Sequence, residues 1–372
     1  MSHAKLSPSA AERWMTCPGS VVLSEGMPER TSEFAEEGTR AHALAEAWLR
    51  GEMVEADREM RDHVSVYVNF VRNLIEFSDD VLHIEQRVKV NDEVYGTADA
   101  VVWQPQRKHL HVGDLKYGAG VAVEVHGNLQ LKIYALAALL TFGYPAQQVT
   151  AAIVQPRCPH SDGPVRSITF DVVDLLDFHA DLLDAVKRVE LARVEFSMKQ
   201  ATFDLLNLVP SEKGCRWCLA APKCPMLKRK AQEMAKRVFS KDEPYDPALL
   251  AQTLDWLPIL EGWIKNVREF AYEEAERGKT VPNWKLVEKR ATRKWRDPAD
   301  VVTNLSIYID AGELFDEPSL KSPAAIEKLL PKEQRALLDE LCVKESSGHT
   351  LVHESDKRPA IKVDAKSAFA TS

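Results

Sequence analysis

The sequence lacks the features that mark membrane proteins and proteins that coat nucleic acid. Its 372 residues contain no run of about 18 apolar residues, the length that would span a bilayer. The N-terminal segment has no apolar signal core, so we expect a cytoplasmic protein without a membrane partner. Acidic residues outnumber basic residues by 56 to 48, and the net charge of −8 argues against binding nucleic acid through bulk charge.

Cysteine is scarce as well, with six residues in the whole chain. In a reducing compartment such cysteines are thiols or metal ligands more often than disulfides. A chain of this length buries a core without cross-links. Its 45% hydrophobic and 28% charged residues are ordinary for a globular protein, and the length fits one large domain with an appendage, or two domains.

Hydrophobic periodicity predicts an α/β core. Three short β-rich runs are separated by turn residues, which indicates an antiparallel meander. A strongly apolar helical pattern follows the meander, ends at Gly143 and Pro145, and precedes further strand and helix patterns. The helices are predicted at 33–49, 58–78, 128–141 and 171–195, and the strands at 81–90, 94–103, 109–116, 150–155 and 165–170.

Acidic and basic side chains that suit one metal site occur in separate segments. His42 and Glu46 are four residues apart, so both lie on one face of the first predicted helix. Asp99 lies on the second predicted strand. Asp114 and Lys116 are two residues apart on the third strand and therefore project from the same face. If the second and third strands pair, the two aspartates can converge.

These residue types fit the chemistry of a hard divalent cation. Carboxylates and an imidazole can hold Mg²⁺ or Mn²⁺ and leave water molecules on the ion. Such an ion lowers the pKa of water and neutralises charge on a phosphoryl oxygen. Lys116 would orient the water or stabilise the transition state. Glu85, on the first predicted strand, would hydrogen-bond a water of the ion or support the site from outside.

The ordered set of motifs resembles the RecB-like branch of the PD-(D/E)XK nucleases, and most closely the members encoded by phages and prophages. The resemblance covers roughly residues 10–240. It implies that His42, Asp99 and Asp114 bind the metal and that Lys116 is catalytic. It also places Gln130 and Tyr134 beside the scissile phosphate. The motifs are Gly38-x3-His42-x3-Glu46, Gly96-x2-Asp99, Asp114-x-Lys116 and Gln130-x3-Tyr134.

Four cysteines form a second candidate site. Cys215, Cys218 and Cys224 form a compact triple, and Cys17 lies about 200 residues upstream. Zinc sites usually use two close pairs, whereas a proline after a cluster cysteine, as found here after Cys17 and Cys224, also occurs in ferredoxins. Zinc with the same ligands and free buried thiols are the alternatives that the residues leave open. The resemblance to the RecB-like AddB nuclease implies a [4Fe–4S] cluster on these four residues.

The resemblance implies a PD-(D/E)XK core, a mixed central sheet flanked by helices, with an N-terminal helical arm and a helical C-terminal extension. We assign residues 1–240 to this nuclease domain with its iron–sulfur clasp, and 241–372 to a mainly helical region whose last twenty or so residues are frayed. The implied activity is a metal-dependent DNA exonuclease in phage or prophage recombination. Its partners would be DNA with free or single-stranded ends and a phage single-strand annealing protein.

Other functions stay open on the sequence alone. The same residues would suit a catalytically inert DNA-binding subunit, or an iron–sulfur or zinc interaction module. Basic stretches at 228–237 and 284–296 would contact DNA phosphates, and tryptophans in the second stretch would stack on bases. The alternative is that both stretches are solvated helix faces.

Overall fold

The computed structural model divides the chain into two units, Met1–Ile264 and Lys265–Ser372. The sequence predicts the boundary near residue 240. Within the described parts, no helix is both long and apolar enough to cross a membrane. The structure describes residues 5–28, 33–200, 202–238, 247–289, 292–316, 319–320, 322–323, 326–327, 330, 334–335, 337–345, 349–353 and 357–361.

A five-stranded mixed sheet forms the centre of the first unit. The strands lie side by side in chain order, and every neighbouring pair is antiparallel except β3 and β4, which are parallel. A parallel pair needs a crossover, and helix α5 (Leu129–Phe142) supplies it. The sequence prediction of a mixed sheet flanked by helices is confirmed. The strands are β1 (Val81–Lys89), β2 (Tyr95–Gln104), β3 (His109–Leu115), β4 (Gln148–Val154) and β5 (Val165–Asp171).

Helix α5 is apolar on nearly all sides, which is typical of a helix buried in a core. Asn128 begins it, because its side chain accepts a hydrogen bond from Leu131 N (3.1 Å). Gly143 ends it with a left-handed φ of 62° and an N–H bond to the Leu139 carbonyl. The helix packs on one face of the sheet with α6 (Val172–Ser197) and α1 (Ala11–Thr16).

The opposite face of the sheet is covered by α3 (Glu33–Leu49) and α4 (Arg58–Asn73). Asp57 caps α4 by accepting a hydrogen bond from Met60 N (2.8 Å). The apolar side of α4 packs against strand residues and is fully buried at its centre. The buried contacts on this face include Ala41, Leu44, Val64, Tyr67, Val68, Val71, Ala100, Val102, Leu115 and Val154.

Short helices join the N-terminal arm to the segment after α6. Gly19 lies at the contact, since a β-carbon there would come within 2.8 Å of Leu208 and 3.0 Å of the Asn207 carbonyl. Only glycine allows this close approach. The elements are the 3₁₀ turns Pro8–Ala10 and Ala221–Lys223 and the helices α2 (Gly19–Ser24), α7 (Phe203–Asn207), α8 (Glu212–Arg216) and α9 (Pro225–Val238).

The boundary between the units falls within α10 (Pro247–Glu276). The described part of the second unit contains short antiparallel strand pairs besides helices, whereas the sequence predicts a mainly helical region. Residues 284–289 and 292–296 are mostly strand, so the helix-face alternative for this stretch is wrong. The frayed end that the sequence predicts lies largely outside the described residues.

The elements of this unit are β6 (Trp284–Glu288), β7 (Thr292–Trp295), α11 (Pro298–Leu305), α12 (Ala311–Leu314), β8 (Phe315–Asp316), β9 (Ser319–Leu320), α13 (Leu337–Leu341), β10 (Cys342–Glu345) and β11 (His349–His353). β10 pairs with β7, β11 with β6, and β8 with β9.

Candidate active site

Three side chains from three elements converge into one group of potential metal ligands. His42 of α3, Glu85 of β1 and Asp99 of β2 each offer a ligand atom, and these atoms lie within 4.8 Å of one another. His42 Nδ1 is 3.3 Å from Asp99 Oδ1. The other Asp99 oxygen accepts a hydrogen bond from Leu115 N (2.7 Å), which fixes the carboxylate against β3.

An irregularity in the pairing of β1 and β2 directs the carboxylates of Glu85 and Asp99 towards His42. The β1–β2 ladder pairs Ile84 with Ala100 and resumes with Gln86 and Ala98. Between these pairs Glu85 has a left-handed φ of 49°, a conformation that costs a non-glycine residue about 1–3 kcal/mol and is enriched at functional sites.

The side-chain alternation of β2 also reverses at Asp99. Ala98 belongs to the core on the α5 side of the sheet, whereas Ala100 belongs to the core on the α3 side. In a regular strand, residues two apart share a face. The reversal therefore explains how Asp99 reaches His42 on α3.

Asp114 and Lys116 form a second, adjoining group at the end of β3. Lys116 Nζ lies 3.1 Å from Oδ1 and 2.8 Å from Oδ2 of Asp114. Gln130, at the start of α5, donates to Asp114 Oδ1 (3.0 Å). Asp114 is 7% exposed, so the Lys116 ammonium and the Gln130 hydrogen bond replace much of the solvation that its carboxylate loses.

The pKa values show how strongly the acidic groups interact. Burial and the charge of Asp99 raise the pKa of Glu85 to about 7. Burial raises the pKa of Asp114 against the opposing effect of Lys116. Burial lowers the pKa of Lys116, but the charge and hydrogen bond of Asp114 more than offset this, so its pKa is raised and it is an ammonium ion.

The pKa of His42 is raised by neighbouring carboxylates, as the pKa of Lys116 is. Burial lowers the pKa of its imidazole, whereas the hydrogen bond and charge of Asp99 and the charges of Asp114 and Glu85 raise it above its usual value. Several carboxylates in one partly buried place therefore favour added positive charge. A divalent cation would supply that charge.

Tyr134 is held beside these groups by close contact with Gly96. A β-carbon at residue 96 would lie 2.8 Å from the Tyr134 hydroxyl and 2.9 Å from Cε1. Burial and the charges of Asp114 and Asp99 raise the pKa of Tyr134 well above its usual value, so the phenol is neutral. This contact links the Gly-x2-Asp motif to the Gln-x3-Tyr motif.

Two further residues stabilise the surroundings of the site, and sequence reasoning did not find them. Tyr67 of α4 is fully buried and donates to the Gly113 carbonyl (3.3 Å), directly before Asp114. Arg157, after β4, donates to Glu37 of α3 (2.8 Å), and its guanidinium lies 4.7 Å above the Tyr117 ring. The only sequence signal for Tyr67 was its position on the apolar stripe of α4.

The donor set and one unsatisfied atom fit a hard divalent cation. Imidazole and carboxylate ligands suit Mg²⁺ or Mn²⁺. Asp114 Oδ2 is buried and makes no hydrogen bond within the described residues, although the Lys116 ammonium lies 2.8 Å from it. The sequence predicts Asp114 as a ligand and Glu85 as a supporting residue. The structure places Glu85 in the close group with His42 and Asp99, and Asp114 in the adjoining group with Lys116.

The four cysteines predicted as a cluster line one largely apolar cavity. The cavity has a volume of about 20 Å³, and Leu208, Pro210 and Leu227 complete much of its wall. Cys17 Sγ accepts a hydrogen bond from Val209 N (3.3 Å), and Cys215 Sγ accepts one from Ser211 N (3.4 Å). Backbone N–H groups that point at sulfur stabilise thiolates.

The spacing of these sulfurs is wider than a single ion requires. Tetrahedral zinc with Zn–S bonds of about 2.3 Å holds its sulfurs about 3.8 Å apart. Among the residues that the structure describes, no three of the cysteine sulfurs lie within 4.8 Å of one another.

A family model described as "Protein of unknown function (DUF2800)" matches residues 3–359. The chain belongs to this family. Among solved structures, it is similar to SSO0001 (13% identity, TM-score 0.28, 61% of this chain and 88% of that chain). It is similar as well to a phage-related exonuclease from Haemophilus somnus 129PT (12%, 0.24, 47% and 92%) and to an alkaline exonuclease from Laribacter hongkongensis (12%, 0.22, 50% and 96%).

Replacing Gly96 in this DUF2800 chain by alanine should destabilise the protein, because the new methyl group overlaps the Tyr134 ring. We expect a loss of about 1–3 kcal/mol in the free energy of unfolding, measured with urea. In a Tyr134→Ala background the same substitution should cost much less. Equal costs in the two backgrounds would show that the contact does not matter.

Replacing Glu85 by glutamine should weaken Mn²⁺ binding, because a neutral amide replaces a charged ligand. We expect the affinity measured by titration calorimetry to fall at least about tenfold, the smallest loss typical for residues outside the ligand shell. Glu190→Gln, an exposed change on α6, serves as the control. Unchanged Mn²⁺ affinity in Glu85→Gln would remove Glu85 from the ligand set.

Proposed function

We propose that this protein is a metal-dependent DNA exonuclease of the RecB-like PD-(D/E)XK type. The observation that carries the proposal is the close group of His42, Glu85 and Asp99 beside the Asp114–Lys116 pair. A hard-cation site adjoining a partly buried ammonium suits attack on a phosphodiester, where negative charge builds up on the phosphoryl oxygens. The order of the motifs along the chain supports the same assignment.

A divalent ion bound here would lower the pKa of a water molecule and neutralise charge on a phosphoryl oxygen. His42, Glu85 and Asp99 would hold it, and Asp114 would contribute through its unsatisfied oxygen. Lys116 supplies a fixed ammonium that can hold an anionic oxygen of the phosphate or orient the attacking water.

Gln130 and Tyr134 act on the positions of these groups. The amide of Gln130 holds Asp114 Oδ1, so that the carboxylate keeps one orientation. Tyr134 keeps its proton, and its neutral hydroxyl can donate a hydrogen bond to a phosphate oxygen. Cleavage would leave a 5′-phosphate and a 3′-hydroxyl, as the resemblance implies.

The proposal extends to the cysteines. We propose that Cys17, Cys215, Cys218 and Cys224 hold a [4Fe–4S] cluster, with zinc as the alternative ion. Their position around one cavity and the N–H groups directed at two of the sulfurs support a bound metal centre. The cluster would tie the N-terminal arm to the segment after the sheet and thereby restrict the unfolded chain. We place the enzyme in the cytoplasm, in phage or prophage recombination, with a strand-annealing protein as its partner.

Cleavage of end-labelled DNA tests the activity. Wild-type protein should degrade single- or double-stranded ends with Mg²⁺ or Mn²⁺ and stop when the ions are chelated. Asp114→Ala should cut at least roughly a hundredfold more slowly and still bind DNA, because only the charge arrangement at the phosphate is lost.

Asp184→Ala, an exposed change on α6, is the matched control and should cut like the wild type. If the wild type cuts no DNA with either ion but binds it, the inert DNA-binding subunit becomes the better description. Binding to neither would favour the interaction module.

Metal analysis of anaerobically purified protein tests the cluster. We expect bound iron and sulfide, with visible absorption that Cys218→Ala loses. Cys158→Ala should keep the iron, because Cys158 is buried but does not line the cavity. Stoichiometric zinc without iron would contradict the cluster and leave the nuclease proposal intact.

A further inference from the structure

The loop that follows Lys116 connects the Asp114–Lys116 pair to the helix that carries Gln130 and Tyr134. It runs from Tyr117 to Asn128, and α5 with Gln130 and Tyr134 begins directly after it. Gly118 to Val121 are exposed, and the first acidic residue after Lys116 is Glu124. Because consecutive Cα atoms are 3.8 Å apart, Gly118 and Gly120 lie within about 8 and 15 Å of the Lys116 Cα atom.

One buried side chain holds this loop. Gln155, which follows β4 and is 1% exposed, donates from Nε2 to the carbonyls of Gly118 (2.9 Å) and Val121 (2.8 Å). Its Oε1 accepts a hydrogen bond from Val123 N (3.0 Å). Gln155 lies beside Lys116 in the sheet, because Lys116 N donates to the carbonyl of the preceding residue, Val154 (2.9 Å).

Arg166 of β5, which is 4% exposed, holds both Gln155 and the loop. Its Nη2 donates to Gln155 Oε1 (2.8 Å) and to the Val123 carbonyl (3.1 Å), and Nη1 donates to the Gly163 carbonyl (2.9 Å). Burying a glutamine and an arginine is unfavourable unless their polar groups are paired. Most of the hydrogen bonds that pair Gln155 and Arg166 go to the backbone of this one loop and hold it in place.

The glycines of the loop are not required by the fold. A β-carbon at Gly118 or Gly120 would meet nothing within 4 Å, and neither residue has a positive φ. A β-carbon at Gly38, one helical turn before His42 on the same face of α3, would also meet nothing within 4 Å. The fold does not require glycine there, although glycine weakens a helix by about 1 kcal/mol. By contrast, Gly96 is required by Tyr134, and Gly143 by its left-handed φ. Glycine in open space suits close approach of a ligand to the backbone.

The loop also offers donors. In the part of the chain that the structure describes, the N–H groups of Gly118, Ala119 and Gly120 donate no hydrogen bond. Exposed backbone N–H groups bind the oxygens of phosphates, and many contacts to nucleic acid are of this kind.

We propose that Gln155 is a positioning residue that holds the 118–123 loop so that its backbone amides bind the sugar–phosphate backbone of the DNA strand being cut. The proposal rests on the nuclease function proposed above. Gln155 acts through the loop and does not touch the phosphate itself. The absence of side chains at Gly118 and Gly120 lets the strand lie against the backbone.

Steady-state kinetics on single-stranded DNA test this role. In Gln155→Glu the carboxylate can still accept from Val123 N and Arg166, but it can no longer donate to the two loop carbonyls. We expect KM to rise about tenfold while kcat stays within about threefold, since the loop must then be ordered on binding. Gln104→Glu is the matched control, because Gln104 is equally buried and donates to the Leu74 carbonyl (2.7 Å), about 17 Å along β2 from Asp99.

Gly120→Val supplies a second test that does not disturb the core. The new side chain has open space, so the urea midpoint should stay near the wild-type value while KM rises. Gly262→Val, at an equally open position in α10, controls for the substitution. Hydrogen exchange provides a direct readout, and the amides of residues 118–122 should exchange more slowly when DNA is added with Ca²⁺.

The outcomes separate this proposal from the nuclease proposal. Cleavage by the wild type with no protection of the loop, and no rise of KM in Gln155→Glu beyond that in Gln104→Glu, would overturn the role of the loop alone. Protection of the loop by DNA without cleavage would overturn the nuclease function and retain the loop as a DNA contact. With neither protection nor cleavage, both proposals fail.

Discussion

The ion pair between the buried Asp114 carboxylate and the partly buried Lys116 ammonium, at the end of β3, is the interaction on which the candidate site depends. Asp114 is buried whereas the Lys116 side chain is 28% exposed, and the contacts of Lys116 and Gln130 replace hydration that the Asp114 carboxylate loses. Such a pair adds little to stability compared with apolar packing, and removal of one partner leaves an isolated buried charge.

Other parts of the site are also unfavourable for stability, but they bring the acidic side chains close together. Glu85 adopts a left-handed backbone, and the carboxylates of Glu85 and Asp99 repel each other in a partly buried space. The surrounding structure compensates through ordinary packing, since α5 on one face and α3 with α4 on the other bury the rest of the sheet. Local departures from regular structure of this kind concentrate at functional sites.

Several contacts between distant segments keep the parts of the site in register. The Gly96–Tyr134 contact holds α5 against β2, and Arg157 connects α3 to the end of β4. The cysteine cavity joins the N-terminal arm to residues 208–227, which closes a long stretch of chain around the sheet. Gln155 and Arg166 do the same for the loop between Lys116 and α5. Each of these contacts joins segments far apart in sequence, so each restricts the folded arrangement more than a local contact would.

The sequence by itself determined the order of the five sheet strands and of the long helices around them, because apolar periodicity, caps and turn residues are local properties that survive in any surroundings. It also placed His42, Asp99, Asp114 and Lys116 on elements that can meet, and the spacing of Asp114 and Lys116 predicted that these two side chains lie on one face. The sequence did not predict the short strands of the second unit, because strands of two to five residues are too short to show a clear alternation of apolar and polar residues.

Only the tertiary structure decided which of these groups lie closest together. The left-handed backbone at Glu85 and the reversed alternation at Asp99 arise from pairing between β1 and β2. They bring Glu85 into the group with His42 and leave Asp114 with Lys116. The roles of Tyr67 and Gln155 depend likewise on which backbone carbonyls come to lie beside them, and that is a property of the packed chain rather than of either residue's neighbours in sequence.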